Sequence, residues 1–149
     1  MSDDTIRVPN PCHPDTDLLT GGQPTPEALE SAREAGYRTV INLRGPGEAI
    51  GYDEESVVTG LGMRYVCIPI TGPGDLHDET AEKLDDVLSD PAARPALIHC
   101  GSGNRVGALL ALHACRKAGA DPEEAIAYGR KAGLSSQELE EVLRARLKG

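Results

Sequence analysis

Residues 95–107 read PALIHCGSGNRVG, and the rest of the chain is organised around this stretch. Its apolar start predicts a short buried strand, and the apolar periodicity that continues to Ala118 predicts a helix. A tight glycine loop joins the two elements, beginning at Cys100 and ending at Arg105. Such a loop directs several backbone N–H groups at one point just ahead of a helix N-terminus, and both features favour a bound anion. The stretch therefore predicts an oxyanion site.

The two ends of the loop carry side chains suited to chemistry on a phosphate. A helix N-terminus and a nearby arginine both favour the thiolate form of a cysteine, so Cys100 is expected to act as a nucleophile. Arg105 is planar and always charged, and it can hold two oxygens of a phosphate at once. The residues expected to bind that phosphate follow the cysteine directly: Gly101, Ser102, Gly103, Asn104 and Arg105. The side chains of Ser102 and Asn104 are equally well explained as ordinary turn residues.

Two other interpretations of the loop explain less of it. The spacing of Gly101, Gly103 and Gly107 comes near a dinucleotide-binding fingerprint. That fingerprint belongs to the first strand–helix unit of a fold and expects an acidic residue at the end of the next strand, whereas no strand-like run follows this loop. A purely structural cysteine would leave His99, the glycines and Arg105 without a joint purpose. Nucleophilic catalysis by cysteine is therefore the leading interpretation.

The pattern His99-Cys100-x-x-Gly103-x-Arg105 resembles the phosphate loop of the cysteine-dependent protein phosphatases of the tyrosine and dual-specificity type. The resemblance is strongest to a bacterial branch, the beta-lactamase-hydrolase-like phosphatases, through GQPT at 22–25 and VINLR at 40–44. It implies a dual-specificity-phosphatase-like fold and hydrolysis of phosphate monoesters through a phosphocysteine, with no metal or other cofactor. It also implies that His99 orients the loop and does not act as a base.

The loop departs from the usual phosphatase pattern in two ways. Four residues separate Cys100 from Arg105, one fewer than in the usual phosphatase loop, and this shorter spacing is also found in many rhodanese-like sulfurtransferases. The hydroxyl residue that normally follows the arginine, and that stabilises the departing cysteine, is replaced by Val106. Two alternatives therefore stay open: a sulfurtransferase or persulfide carrier, and a catalytically weak phosphate-binding module.

Cleavage of a phosphate ester by a cysteine also needs a proton donor for the leaving oxygen. The resemblance implies an aspartate on the segment 71–78, but the positions that align with it carry threonine and glycine. Asp75 is the preferred substitute, because the flanking glycines and proline allow it to swing inward, and it would later activate water. His77 is the second candidate. Asp78 is the third, because it is better explained as the N-cap of the following helix.

The alternation of strand and helix signals predicts an α/β fold of three layers, with a mostly parallel sheet of four to five strands and helices on both faces. Residues 1–149 are expected to form one domain, with an extended N-terminal arm over residues 1–15. Loops at the carboxyl ends of parallel strands line the ligand crevice. Arg44 follows such a strand, so it is either a second cation near the site or the partner of Glu48 in a structural ion pair.

Composition excludes several classes of partner. The net charge of −9 and the absence of a long basic run argue against binding of nucleic acid or of an anionic membrane surface. No apolar run is long enough for a membrane span, and the acidic N-terminus is unlike a signal peptide. The four cysteines show no paired spacing, which favours the cytoplasm, and Cys67 and Cys115 are expected in the core. The expected partner is a phosphorylated substrate, either a protein or a small molecule, and the oligomeric state is left open.

Overall fold

A five-stranded sheet forms the centre of the protein in the computed structural model, which describes residues 6–45 and 51–148. Its strands are β1 (Cys12–Asp15), β2 (Leu18–Gly21), β3 (Thr39–Asn42), β4 (Arg64–Cys67) and β5 (Ala96–His99). The spatial order is β1-β2-β5-β3-β4. The last four strands in this order are parallel, whereas β1 pairs antiparallel with β2 at one edge. The predicted mostly parallel sheet is confirmed.

Helices cover both faces of this sheet. They are α1 (Pro26–Glu34), α2 (Glu54–Gly60), α3 (Asp78–Leu88), α4 (Asn104–Ala118), α5 (Pro122–Lys131) and α6 (Gln137–Leu147). Successive strand residues point to opposite faces, and this alternation divides the core in two. Ile41 and Ile98 belong to the cluster covered by α3, α4, α5 and α6. Their neighbours Val40 and Leu97 belong to the cluster covered by α1 and α2. The predicted three-layer arrangement is thus confirmed.

The start of α3 differs from the prediction. His77, not Asp78, is the N-cap: its backbone is extended, and its ring nitrogen Nδ1 accepts a hydrogen bond of 3.4 Å from the backbone N–H of Thr80. The Thr80 hydroxyl accepts in return from the His77 N–H at 3.2 Å, which completes a capping box. Asp78 is instead the first residue of the helix, and its carboxylate pairs with Arg116 on α4 at 2.9 Å.

The edges of the sheet account for two further findings. The last residues of the predicted N-terminal arm form the edge strand β1, which adds to β2. Cys67 is exposed, so its prediction as a core residue is wrong: β4 lies at the other edge, and its burial pattern leaves both ends open. Cys115 is partly buried against the core.

Within residues 6–45 and 51–148, none of the helices has the length and apolar character needed to cross a membrane.

The strand register brings three chain segments to one edge of the sheet. His99 at the end of β5 is level with Gly21 at the end of β2 and with Asn42 at the end of β3. The residues that follow these strands therefore emerge side by side. Beyond β4, the backbone N–H of Ile70 still donates to the carbonyl oxygen of Leu43 at 2.9 Å, so the segment after β4 reaches the same edge.

Candidate active site

The loop after β5 wraps its backbone around the sulfur of Cys100. Cys100 is fully buried, and its N–H donates to the carbonyl oxygen of Gly21 at 3.2 Å. Gly103 has a φ of 104°, a left-handed conformation that favours glycine, and its N–H donates to the Cys100 Sγ at 3.0 Å. Helix α4 begins at the next residue, Asn104. A backbone donor thus faces the sulfur at the N-terminus of α4.

The GQPT segment, residues 22–25, packs against the backbone of the cysteine loop. A Cβ atom on Gly22 would lie only 2.5 Å from the carbonyl oxygen of Gly101, so this position requires glycine. The backbone of the loop is also held from outside, since the Asn10 side chain donates to the carbonyl oxygen of Ser102 at 2.9 Å. Ser102 itself is exposed. The loop is therefore fixed by contacts from two neighbouring segments.

The Asn104 side chain points away from the loop. Its Oδ1 atom accepts hydrogen bonds from the backbone N–H groups of Ser135 and Ser136, at 2.7 and 2.8 Å. These bonds tie the start of α4 to the turn before α6. Of the two roles that the sequence left open for this side chain, the structure gives it the structural one. Its backbone N–H remains part of the loop.

Two guanidinium groups lie beside Gly101. The position that a Cβ atom would take on this glycine is 3.2 Å from Nη2 of Arg105 and 4.0 Å from Nη1 of Arg44. Arg105 is oriented by a hydrogen bond of 3.0 Å from its Nη1 to the carbonyl oxygen of Ile70. The structure therefore places the Arg44 guanidinium near Gly101 of the loop. A role as a second cation stays a prediction. The alternative ion pair involves Glu48, which lies outside the described residues.

A buried carboxylate contacts His99, the residue that precedes the cysteine loop. The Nε2 atom of His99 is 2.5 Å from Oε2 of Glu54, and both side chains are almost completely buried. The other oxygen of Glu54 accepts from Nε2 of Gln23 at 2.7 Å. The same Gln23 nitrogen lies 3.0 Å from the hydroxyl of Tyr52, which donates to the carbonyl oxygen of Pro24. Burial, followed by the charge of Glu54, raises the pKa of Tyr52 to about 12, so this hydroxyl stays protonated.

The segment after β4 contains all three candidates for the general acid. The Asp75 carboxylate accepts from the backbone N–H and the hydroxyl of Thr71, both at 2.8 Å, and these bonds lower the pKa of Asp75. His77 caps α3 and Asp78 pairs with Arg116, as described above. The three partners are therefore Thr71 on the same segment, Thr80 on α3 and Arg116 on α4. In this conformation Asp75 is a carboxylate at neutral pH, the form that accepts a proton.

This arrangement is matched by a known family. A family model described as "DSP-PTPase phosphatase fused to NAD+ Kinase" matches residues 8–145, which include every strand of the sheet and the whole cysteine loop. The chain belongs to this phosphatase family. The family's enzyme class is that of phosphoric monoester hydrolases, and the resemblance drawn from the sequence is confirmed.

Curated relatives of this phosphatase domain are larger proteins. The chain is 29% identical over 99 residues to the beta-lactamase hydrolase-like protein of Agrobacterium fabrum, an alignment that covers 64% of this chain and 22% of that protein. The same protein of Xylella fastidiosa matches with equal identity and coverage. The alignment thus spans about a fifth of the length of these relatives.

Solved structures share the fold of the phosphatase domain. A protein of Shewanella putrefaciens described as a phosphatase (DUF442) superposes with a TM-score of 0.77 at 21% identity, covering 99% of this chain and 97% of that one. Tk-PTP in its active form gives a TM-score of 0.73 at 19% identity, covering 95% and 99%. The core catalytic domain of a PP-IP phosphatase from S. cerevisiae gives 0.72 at 18% identity, covering 96% and 88%. All three show the same fold.

The sequence did not predict the role of Glu54 in this phosphatase site. Glu54 and His99 are 45 residues apart, and Glu54 is the first residue of a short helix whose acidic first turn is accounted for by the helix dipole alone. No local pattern distinguishes it from its neighbour Glu55, which is exposed. The pair is seen only in the folded structure, where the start of α2 contacts the end of β5.

Proposed function

We propose that this domain hydrolyses phosphate monoesters through a phosphocysteine formed on Cys100. The observation that carries the proposal is the hydrogen bond of 3.0 Å from the Gly103 N–H to the Cys100 sulfur, at the N-terminus of α4. The guanidinium of Arg105 lies beside Gly101 of the same loop. This geometry places a cysteine sulfur next to donors for the oxygens of a phosphate. Residues 1–149 are taken as one catalytic domain.

The first step is attack of the Cys100 thiolate on phosphorus. A sulfur–phosphorus bond forms while the bond from phosphorus to the ester oxygen breaks. The backbone N–H groups of residues 101–105 and the Arg105 guanidinium stabilise the charge on the other phosphate oxygens. The departing oxygen takes its proton from Asp75. For this step Asp75 must leave its two bonds to Thr71, which favour the carboxylate, and bind a proton before the ester bond breaks.

In the second step, water attacks the phosphocysteine. The Asp75 carboxylate accepts a proton from that water, the phosphorus–sulfur bond breaks, and inorganic phosphate and the thiolate are released. Val106 is fully buried in the core and carries no hydroxyl to stabilise the departing sulfur. The Gly103 N–H, which already donates to the sulfur, supplies a hydrogen bond in its place. This contact supports turnover despite the missing hydroxyl.

The substrate is a phosphorylated protein or small molecule, and neither nucleic acid nor a membrane is required. A thiolate nucleophile works only while it is reduced. All four cysteines of the chain are free in the structure, which suits a reducing compartment such as the cytoplasm.

Mass spectrometry of the loop peptide tests this proposal. Wild type and the Asp75→Asn variant, in which breakdown of the intermediate is slowed, are mixed with p-nitrophenyl phosphate, quenched in acid and digested. We expect one added phosphoryl group on the Cys100 peptide, and the peptide with Cys115 serves as an unmodified internal control. A parallel treatment with thiosulfate tests sulfur transfer. An added sulfur on Cys100 together with no added phosphoryl group would favour the sulfurtransferase, and tight phosphate binding without either modification would favour a binding module.

A further inference from the structure

We propose that Arg44 determines specificity by binding a second anionic group of the substrate, next to the phosphate that Cys100 attacks. The preferred substrates would then carry two adjacent acidic groups, as in a diphosphate. This inference rests on the proposed function of the Cys100 loop. It extends that function from phosphate esters in general to a narrower chemical class.

The side chains of Arg44 and Arg105 both reach Gly101. Two guanidinium nitrogens, Nη2 of Arg105 and Nη1 of Arg44, lie within 4.0 Å of one point, the position of a Cβ atom on Gly101. A phosphate that contacts Arg105 therefore has the second guanidinium as a close neighbour. An acidic group joined to that phosphate through one bridging atom can contact Arg44 while the phosphate stays on the loop.

The backbone of Arg44 is held firmly in this position. Its N–H donates to Oδ1 of Asn42 at 2.8 Å, and the amide nitrogen of Asn42 donates to the Tyr65 hydroxyl at 2.9 Å. The preceding residue, Leu43, is fully buried, with its N–H on the carbonyl oxygen of His99 and its own carbonyl oxygen on the N–H of Ile70. The segment that presents the guanidinium is thus ordered before a ligand binds, which lowers the entropic cost of binding.

The charge balance of the protein supports the same role. The chain carries a net charge of −9, so long-range electrostatics repel an anionic substrate. Two guanidinium groups beside one glycine nevertheless form a local positive site. A ligand with two adjacent acidic groups can contact both guanidinium groups at once, through charge-assisted hydrogen bonds. The buried carboxylate of Glu54 is engaged with His99 and Gln23.

Calorimetric titration with three small acids tests this inference. Methylphosphonate carries one acidic group, methylenediphosphonate carries two phosphonates, and phosphonoacetate carries a phosphonate and a carboxylate. We expect wild type to bind methylenediphosphonate at least about tenfold more tightly than methylphosphonate, as one further charged hydrogen bond provides. Arg44→Gln should remove most of this preference. It should weaken the binding of methylphosphonate by a smaller factor than the binding of methylenediphosphonate. Arg44→Lys should retain part of it, because the charge remains and the planar fork is lost.

Arg64→Gln is the matched control. Arg64 lies at the opposite end of β4, is half exposed and pairs loosely with Asp90, so its loss changes the net charge equally without touching the loop. We expect this variant to bind all three acids as wild type does. Equal loss of affinity for methylphosphonate and methylenediphosphonate in Arg44→Gln, or no preference in wild type, would overturn the inference. Tight binding of phosphonoacetate would identify the second group as any anion, and weak binding would identify it as a phosphate; both outcomes support an Arg44 subsite.

The same titrations on Cys100→Ser separate this inference from the proposed function. They measure binding and need no turnover. An Arg44-dependent preference without any Cys100-dependent hydrolysis would leave the subsite standing and remove the phosphatase mechanism. Cys100-dependent hydrolysis without an Arg44-dependent preference would remove only the subsite.

Discussion

Glu54 Oε2 lies 2.5 Å from His99 Nε2, and this contact joins the start of α2 to the residue that precedes the proposed nucleophile. Both side chains are buried, and a buried charged group is stable only when it is paired and hydrogen-bonded. The side-chain amide of Gln23 donates a hydrogen bond to the second oxygen of the Glu54 carboxylate. The pair therefore fixes the end of β5, from which the cysteine loop emerges.

Glu54→Ala should destabilise the protein by about 3 kcal/mol, because it leaves the buried polar groups of His99 and Gln23 without their partner. Unfolding in urea measures this loss. Glu55→Ala removes the same charge from the next residue of α2, which is exposed, and should cost less than about 1 kcal/mol. Losses of equal size in the two variants would contradict a structural role for the Glu54–His99 pair.

Gly22→Ala should disturb the cysteine loop through steric overlap. The added Cβ would lie 2.5 Å from the carbonyl oxygen of Gly101, and overpacking of this kind costs about 1–3 kcal/mol. We expect lower stability in urea and a lower kcat/KM for p-nitrophenyl phosphate. Gly60→Ala is the control, since a Cβ there meets nothing within 4 Å. A Gly22→Ala variant as stable and active as Gly60→Ala would show that the loop tolerates movement at this point.

Much of this site follows from local sequence. The apolar run before Cys100, the glycine loop and the periodicity after it predict β5, the loop and α4, because each signal lies within one element. The start of α1 also follows local rules, since Thr25 is its N-cap and Pro26 its first residue. The prediction that Arg44 lies near the crevice used a general rule for parallel sheets. That rule requires only the position at which a strand ends.

The parts that were missed depend on contacts between distant elements. Asp78 was predicted as the cap of α3 because aspartate is among the usual capping residues, but the preceding His77 uses a ring nitrogen for the same bond. Cys67 was predicted in the core because it lies in an apolar run, but the topology places β4 at an edge. The partners of Asn104 and His99 come from segments 31 and 45 residues away, which no local pattern specifies.

The hydrogen bonds from Thr71 should govern the titration of Asp75. They lower the pKa of Asp75, so the carboxylate stabilises the fold above the ordinary aspartate value, about 3.9, and this contribution is lost as the pH falls through the lower folded value. The difference in stability between wild type and Asp75→Asn should therefore shrink on going from pH 7 to pH 3. Urea unfolding at the two pH values measures it. A difference that stays constant would show that these bonds have no effect on titration.

The same bonds should affect catalysis if Asp75 is the general acid. Thr71→Val removes one of the two donors, which raises the pKa of Asp75 towards its ordinary value and keeps the acid protonated to higher pH. We expect the basic limb of the rate profile for phenyl phosphate, a poor leaving group, to move to higher pH. p-Nitrophenyl phosphate needs less proton transfer and serves as the control substrate. A limb that stays in place for phenyl phosphate would remove Asp75 from this role.

The most direct test of the account compares the turnover of p-nitrophenyl phosphate by wild type, Cys100→Ser and Cys115→Ser. The two variants carry the same substitution, but Cys115 lies far along α4 from the loop. Loss of the nucleophile should lower kcat/KM by about a thousandfold or more, whereas Cys115→Ser should stay close to wild type. Phosphate release by a folded Cys100→Ser protein at a rate near that of wild type would contradict the account.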